Sequence, residues 1–273
     1  MNFAAIFVNR FRKNPVFIYP DMIISMRSIL ISLYIWSFML ITILPLFLIY
    51  LIIWTLVLPF DPMKIISHYY TVHWARLYLR INPWWSLEID GSEIGRAKPV
   101  ILVSNHQSMI DIALLLQLGI PFRWVCKIEL VRIPVIGWVI RMNRHIVVRR
   151  GDRQSVYRMA EACKKSLSGG ISVYMFPEGT RTKMGDLGSF KDGAFILAKE
   201  TGTEIVPVIL DGAMAALPKR KLLFRGRQHF RLRVLETIPH RVITELSREE
   251  LTRHTRDIMA EGLKRMHHEK HGN

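Results

Sequence analysis

The sequence predicts an α/β fold, a mixed sheet covered by helices, preceded by an N-terminal helical segment that anchors in a membrane. Three observations lead there. Short apolar runs of strand character alternate with helical patterns after the first third of the chain. Thirty-three consecutive residues, 28–60, carry no charge. The 273 residues are half hydrophobic, yet Lys and Arg number 38 against 22 Asp and Glu, a formal net charge of +16. Residues 1–60 are read as a membrane-inserted helical segment and 61–273 as one folded domain, long enough to bury a substantial core.

An apolar and strongly basic chain suits a partner that is itself apolar and anionic, which describes a phospholipid surface. Nucleic acid would explain the charge but not the apolar content, and it is not expected as a partner. Cys126 and Cys163 are far apart and lack metal-ligand or Cys-x-x-Cys spacing, so neither a disulfide framework nor a zinc site is expected. Reduced, buried cysteines fit a domain facing the cytoplasm.

In the uncharged run, Pro45 separates pieces of 17 and 15 residues, 28–44 and 46–60. As helices these reach about 22–26 Å, short of a hydrocarbon core of about 30 Å. Arg10, Arg12, Lys13 and Arg27 precede the run and the basic bulk follows it, which keeps both ends on the cytoplasmic side. The expectation is a bent, monotopic insertion, with a single Pro-kinked span as its competitor. The apolar stretch is too long for a cleaved signal peptide.

Residues 61–85 have helical spacing, with Trp74, Trp84 and Trp85 among bases at headgroup level. "SLEIDG" is a short strand closed at Gly91, and "PVILVS" a strand apolar on both faces, hence fully buried. A helix then runs to about Gln117, stopped by Gly119 and Pro121. "FRWVCK" and "HIVVRR" are short strands, and "ELVRIPVIGWVIRM" between them is a short helix around a Pro-Gly break. Tyr157 to Leu167 is helical, and Gly169-Gly170 turns into the buried strand "ISVYMF". "GAFILAKETG" is a helix ended by Gly202, and "IVPVIL" a strand. Ser247-x-x-Glu250 is a capping box opening a C-terminal helix with Leu251, Ile258 and Met259 at helical spacing.

Two polar interruptions carry the chemistry. In "VSNHQSMID", His106 and Asp111 are five residues apart. On one continuous helix they would point about 140° apart. They meet only if His106 lies in the loop after the strand and Asp111 in the first helical turn, with Ser108 as the natural N-cap. A histidine held by a carboxylate is a good general base near neutral pH. Ser108-x-x-Asp111 also satisfies a capping-box pattern, which gives Asp111 a purely structural alternative. In "YMFPEGTRTK" a buried strand ends at Phe176, Pro177 blocks its continuation, and Glu178-Gly179-Thr180-Arg181 forms a loop where open α/β sheets bind ligands. Gly179 permits a sharp turn, and Arg181 suits bidentate phosphate binding. A surface turn with Glu178 paired to Arg181 is the alternative.

"NHQSMID" followed about 70 residues later by "FPEGTR" resembles the 1-acylglycerol-3-phosphate O-acyltransferase family, the lysophosphatidic acid acyltransferases. "KIELVRIPVIG" and the stretch from "FKDGAFILA" to "VPVIL" also match, so the resemblance covers roughly residues 85–215. It implies that residues 61–273 are a catalytic domain. His106 takes the proton of a lysophospholipid hydroxyl as that oxygen attacks an acyl thioester, and Asp111 holds the imidazole. It implies no covalent acyl-enzyme, and no G-x-S-x-G elbow occurs here. Arg181 with Lys127 would hold the substrate phosphate, and Glu178, Gly179 and Thr180 would shape that pocket. Many members have an acidic residue before the arginine of the strand that here reads "HIVVRR". This chain has Val148 there, and Arg149 is not counted among the expected binding residues.

The resemblance implies the sn-2 hydroxyl of lysophosphatidate as acceptor, with another lysophospholipid or a lyso-amino-lipid as the alternative. The donor is acyl-CoA or acyl carrier protein, with no further cofactor and no metal. The place is a membrane, with the domain on the cytoplasmic side of a bacterial inner membrane or its equivalent. A non-catalytic binder of anionic membranes leaves both motifs unexplained. The basic crowds at residues 141–158 and 219–233 are expected to be solvated or lipid-facing.

Overall fold

A computed structural model describes residues 26–91, 93–94, 98–182, 187–218 and 221–271. Arg10, Arg12 and Lys13 of the expected basic flank, and Lys219 and Arg220 of the second basic crowd, lie outside the described residues.

Helix α1 (Met26–Val57) is long and apolar enough to cross a membrane. It runs unbroken through Pro45, so the expected division into two short pieces is not found. The reason lies in its packing. Ile31 and Ile35 before the proline and Phe47 and Tyr50 after it are all buried against the domain, which holds both halves in the helix. Helix α2 (Ile65–Arg80) returns along α1. Buried Asp61 fixes its start, accepting the backbone N–H groups of Ile65 at 2.6 Å and Ser67 at 3.1 Å. Tyr70 and Tyr78 of α2 reach α1 with their hydroxyls, at Leu46 O (2.7 Å) and Thr42 Oγ1 (3.2 Å).

Seven strands form one sheet in the order β1-β7-β6-β2-β5-β3-β4. They are β1 (Trp85–Gly91), β2 (Ile101–Ser104), β3 (Phe122–Lys127), β4 (Ile146–Val148), β5 (Ser172–Met175), β6 (Ile205–Asp211) and β7 (Gln228–Val234). All neighbours are parallel except β6 and β7, so β1 and β7 run against the rest and the sheet is mixed as expected. Every residue of β2 and β5 is buried, because helices cover both faces. Leu102 and Tyr174 point to the face holding α1, α2 and the short α3 (Asp111–Leu115). Ile101, Val103 and Val173 point to the face covered by α5 (Arg153–Ser168), α6 (Gly193–Thr201), α8 (His240–Glu245) and α9 (Arg248–His271). Two further short helices, α4 (Ile136–Met142) and α7 (Ala213–Ala216), lie in connections.

Six strands correspond to expected runs, and β7 does not. Its residues alternate Phe230, Leu232 and Val234 with His229, Arg231 and Arg233, a period-two signal hidden inside a run of bases. Arg231 and Arg233 are therefore not the solvated surface expected. Arg231 is buried and donates to Met266 O and Glu269, and Arg233 binds Asp90 on β1 and Glu269 on α9. These pairs fasten the C-terminal helix to the edge of the sheet, and the two arginines hold the Glu269 carboxyl down at about 2.

Buried His68 of α2 packs edge-on against Phe122 of β3, with ring centroids 5.2 Å apart. Burial lowers its imidazole to about 4. His145 is pushed the same way by burial and by the charges of His68 and Arg123. Between the ordinary histidine value of about 6.5 and about 4, the unfolded chain takes up a proton that native His68 refuses. Stability should therefore hold above that window and fall as pH drops through it, by on the order of 3 kcal/mol for His68. Denaturant melts of His68→Leu in detergent at pH 7, 5.5 and 4.5 should show a shallower pH dependence than the parent protein.

Candidate active site

Five parallel strands, β2 to β6, end on one edge of the sheet. The chain leaves β2 for α3 on one face and leaves neighbouring β5 for α6 on the other. Adjacent loops that depart in opposite directions open a crevice, and here it lies between His106 and the loop after Met175. Lys127 ends β3 and Arg149 follows β4 on the same edge, one and two strands beyond β5.

Buried Asn105 continues β2 with its side chain. Its Nδ2 donates to Leu210 O at 2.8 Å and its Oδ1 accepts Leu210 N–H at 2.8 Å, in the manner of one more strand residue paired to β6. The backbone then turns, and His106 Nδ1 meets Asp111 Oδ2 at 2.7 Å. That oxygen also accepts the backbone N–H groups of Gln107 at 2.6 Å and Ser108 at 2.9 Å. Asp111 is fully buried, while the His106 side chain keeps 22% of its surface. The carboxylate holds the proton on Nδ1 and leaves Nε2 with its lone pair outward.

Both readings of Asp111 therefore hold together. It is the first residue of α3, its Oδ2 accepts the Ser108 amide in the loop before that helix, and the same oxygen orients His106. Ser108 departs from its expected role. α3 begins three residues later, and the Ser108 hydroxyl donates to Leu217 O at 2.8 Å, tying the loop to the segment after β6.

The second loop is bound to the first. Glu178 is buried, its Oε1 accepting His106 N–H at 3.1 Å and its Oε2 accepting Gly188 N–H at 3.0 Å. Burial raises its carboxyl above the ordinary value, opposed by those two amides. The surface turn with an outward Glu178 is thus excluded, and Glu178 shapes the site from within. Thr182 donates both its N–H (2.7 Å) and its hydroxyl (2.8 Å) to His106 O. These bonds bring half-buried Arg181 and exposed Thr180 to the histidine loop. Gly179 has φ 65°, the left-handed conformation that favours glycine, with the end of the Lys191 side chain packed against it. Phe176 stacks on the His106 ring at 4.1 Å with an interplanar angle of 21°.

Sequence reasoning did not single out Asn105, Phe176, Thr182 or Lys191. Asn105, Phe176 and Thr182 lie in or beside the quoted motifs, but their roles depend on partners 70 to 105 positions away, such as Leu210 for Asn105. Exposed Lys127 sits on the shared edge, and so does Arg149, which had been set aside.

Residues 86–211 match the family described as Acyltransferase. The chain is 40% identical over 165 residues to "1-acyl-sn-glycerol-3-phosphate acyltransferase LPAT1, chloroplastic" of Arabidopsis thaliana, covering 59% of this chain and 46% of that one. It is 30% identical over 193 residues to the 1-acyl-sn-glycerol-3-phosphate acyltransferase of Borreliella burgdorferi, covering 69% of this chain and 77% of that one. The chain thus spans about half the length of the chloroplast relative and most of the bacterial one. The crystal structure titled as the LPA acyltransferase PlsC from Thermotoga maritima superposes with a TM-score of 0.75 at 24% identity, covering 88% of this chain and 96% of that one. That likeness shows the fold.

Replacing Asn105 by Ala strands the Leu210 N–H and C=O in the interior, at about 1–3 kcal/mol for each buried group left unpaired. Asn105→Ala should lower the melting temperature by several degrees. Asn105→Asp keeps an acceptor for Leu210 N–H but sets a buried carboxylate oxygen against Leu210 O, so it should fall at least as far as Asn105→Ala; calorimetry in detergent checks the order.

Proposed function

The chain belongs to the 1-acyl-sn-glycerol-3-phosphate acyltransferase family, and from that membership we propose that it transfers an acyl chain from a thioester to the free sn-2 hydroxyl of a 1-acyl-glycerol-3-phosphate, giving phosphatidate. The observation that carries this reading is the 2.7 Å contact of His106 Nδ1 with buried Asp111, beside a loop that presents Arg181. Nε2 accepts the hydroxyl proton as the oxygen attacks the thioester carbonyl carbon. Asp111 stabilises the imidazolium that forms. Collapse of the tetrahedral intermediate breaks the carbon–sulfur bond, and the imidazolium returns its proton to the departing thiolate. The acyl chain passes directly from sulfur to oxygen. Arg181, with Lys127 and Arg149 on the same edge, supplies the cations for the substrate phosphate. The thioester is carried by coenzyme A or acyl carrier protein.

The site works at a membrane. α1 is bonded to the domain from Ser32, whose Oγ accepts Phe224 N–H at 2.8 Å, to Trp54, whose Nε1 donates to Met142 O at 3.4 Å. Those points are about 33 Å apart along the helix. A helix fastened to a polar domain over that length cannot stand across a bilayer without drawing charged groups into hydrocarbon. It lies along one leaflet, with its outward Leu40, Ile41, Leu44 and Leu48 in the acyl region and the domain on the cytoplasmic side.

With purified detergent-solubilised protein, lysophosphatidate and an acyl thioester, His106→Ala should lower kcat by at least about 10²–10⁴-fold. Near-normal turnover would end the assignment. Arg181→Ala should raise KM for lysophosphatidate by about tenfold or more, the loss of one charge-assisted phosphate contact. The effect should vanish with a phosphate-free lysolipid. Equal activity of the parent enzyme on both acceptors would move the substrate to another lysolipid class.

A further inference from the structure

The segment between β3 and β4 contains a strained turn. A 3-10 helix, Ile128–Arg132, and α4 are joined by Ile133, Pro134 and Val135. Val135 has φ 63° and ψ −59°, and Ile136 N–H donates across it to Pro134 O at 2.7 Å. This is a γ-turn of the disfavoured hand, on a β-branched residue. Gly137 presses α4 against the 3-10 helix so closely that a Cβ would meet Val131 O at 2.1 Å.

Contacts with α1 hold the turn in place. The Val135 side chain is buried against Phe47 and Tyr50. Tyr50 Oη donates to Asn143 Oδ1 at 3.0 Å, Trp54 reaches Met142 O, and Arg144 Nη1 donates to Pro62 O at 3.2 Å. With its backbone so fixed, the segment turns Ile133 (38% exposed), Ile136 (42%) and Trp138 (47%) outward. Trp138 lies 5.3 Å from the Phe47 ring, which joins these side chains to the outward row Leu44, Leu48 and Leu51 of α1. Exposed Arg132, Arg141 and Arg144 flank them.

We infer that Ile133, Ile136 and Trp138 form a second membrane-contact element, entering the same leaflet of an anionic phospholipid bilayer as α1. The inference rests on the reading that α1 lies along a leaflet. Two observations name the occupant: the patch is continuous with the apolar face of α1, and its rim is cationic, complementary to anionic headgroups. A chain that spends backbone strain to hold a tryptophan and two isoleucines outward needs an apolar phase to receive them. The 3-10 helix leads back to Lys127 at the end of β3, so the depth of this turn sets the height of the catalytic edge above the lipid.

Both native cysteines are buried, so an environment-sensitive thiol label can be placed selectively. The full chain, reconstituted in vesicles of phosphatidylcholine and phosphatidylglycerol, would carry it at Leu48→Cys, Trp138→Cys, Ile136→Cys or the remote Glu249→Cys. Acyl-brominated lipids should quench the label at 48, 138 and 136 and leave 249 unchanged. Quenching at 48 alone overturns the inference and spares the reading of α1. No quenching at 48 overturns both. A label at 138 shielded without lipid, with disulfide-linked dimers at that position, would instead make the patch a contact between copies. In the same vesicles Trp138→Asp should lower turnover of lysophosphatidate about tenfold through lost burial of one aromatic side chain. Its rate in detergent should stay within about twofold of the parent; unchanged turnover in vesicles would count against the inference.

Discussion

One carboxylate oxygen organises the reactive part of this protein. Asp111 Oδ2 receives the His106 ring proton and two backbone amides, all from within five residues of chain. A fully buried carboxylate is costly unless its charge is met by donors, and three donors on Oδ2 meet it while Oδ1 is left without a partner among the described residues. Removing the histidine proton would leave the capping bonds, and removing the cap would leave the histidine without a fixed orientation. The helix start and the proton acceptor are therefore one construction. This explains how a pattern of only six residues can produce a defined tautomer without help from a distant acid.

The rest of the fold positions this unit against the loop that carries Arg181. β2 and β5 are neighbours, and their chains depart to opposite faces, so the crevice follows from topology before any side chain is considered. Side chains then remove its slack. Asn105 pins the histidine loop to β6, and Glu178 and Thr182 pin the arginine loop to the backbone of His106 itself. Phe176 closes one face of the imidazole. His106 and Arg181 sit on loops whose freedom has been used up by such bonds, which is the preorganisation that the proposed proton transfer needs.

Membrane attachment is built into the same body. α1 contributes Ile31 and Ile35 to the main core while leaving most of its length outward, so the anchor and the catalytic domain share side chains and cannot move as separate units. The aromatic residues of α2 and the strained turn at Val135 extend this contact. An enzyme acting on lipid at an interface gains from such rigidity, because the distance from site to bilayer is then a property of the fold. The formal charge of +16 adds long-range attraction to an anionic surface.

The sequence by itself determined the class of fold, the places of six strands along the chain, the apolar N-terminal helix and the two polar loops. Those features rest on local signals: hydrophobic period, glycine and proline stops, and a histidine and an acid close enough in the chain to be judged by helix geometry alone. Tertiary structure decided the remainder. β7 was masked because its alternate positions are arginines with distant partners, Asp90 and Glu269 lying 143 and 36 residues from Arg233, so only folding shows them as paired and not solvated. The unbroken course of α1 through Pro45 depends on contacts on both sides of the proline. The roles of Asn105, Glu178 and Thr182 depend on which strands become neighbours, and strand order is a long-range property that no local pattern encodes.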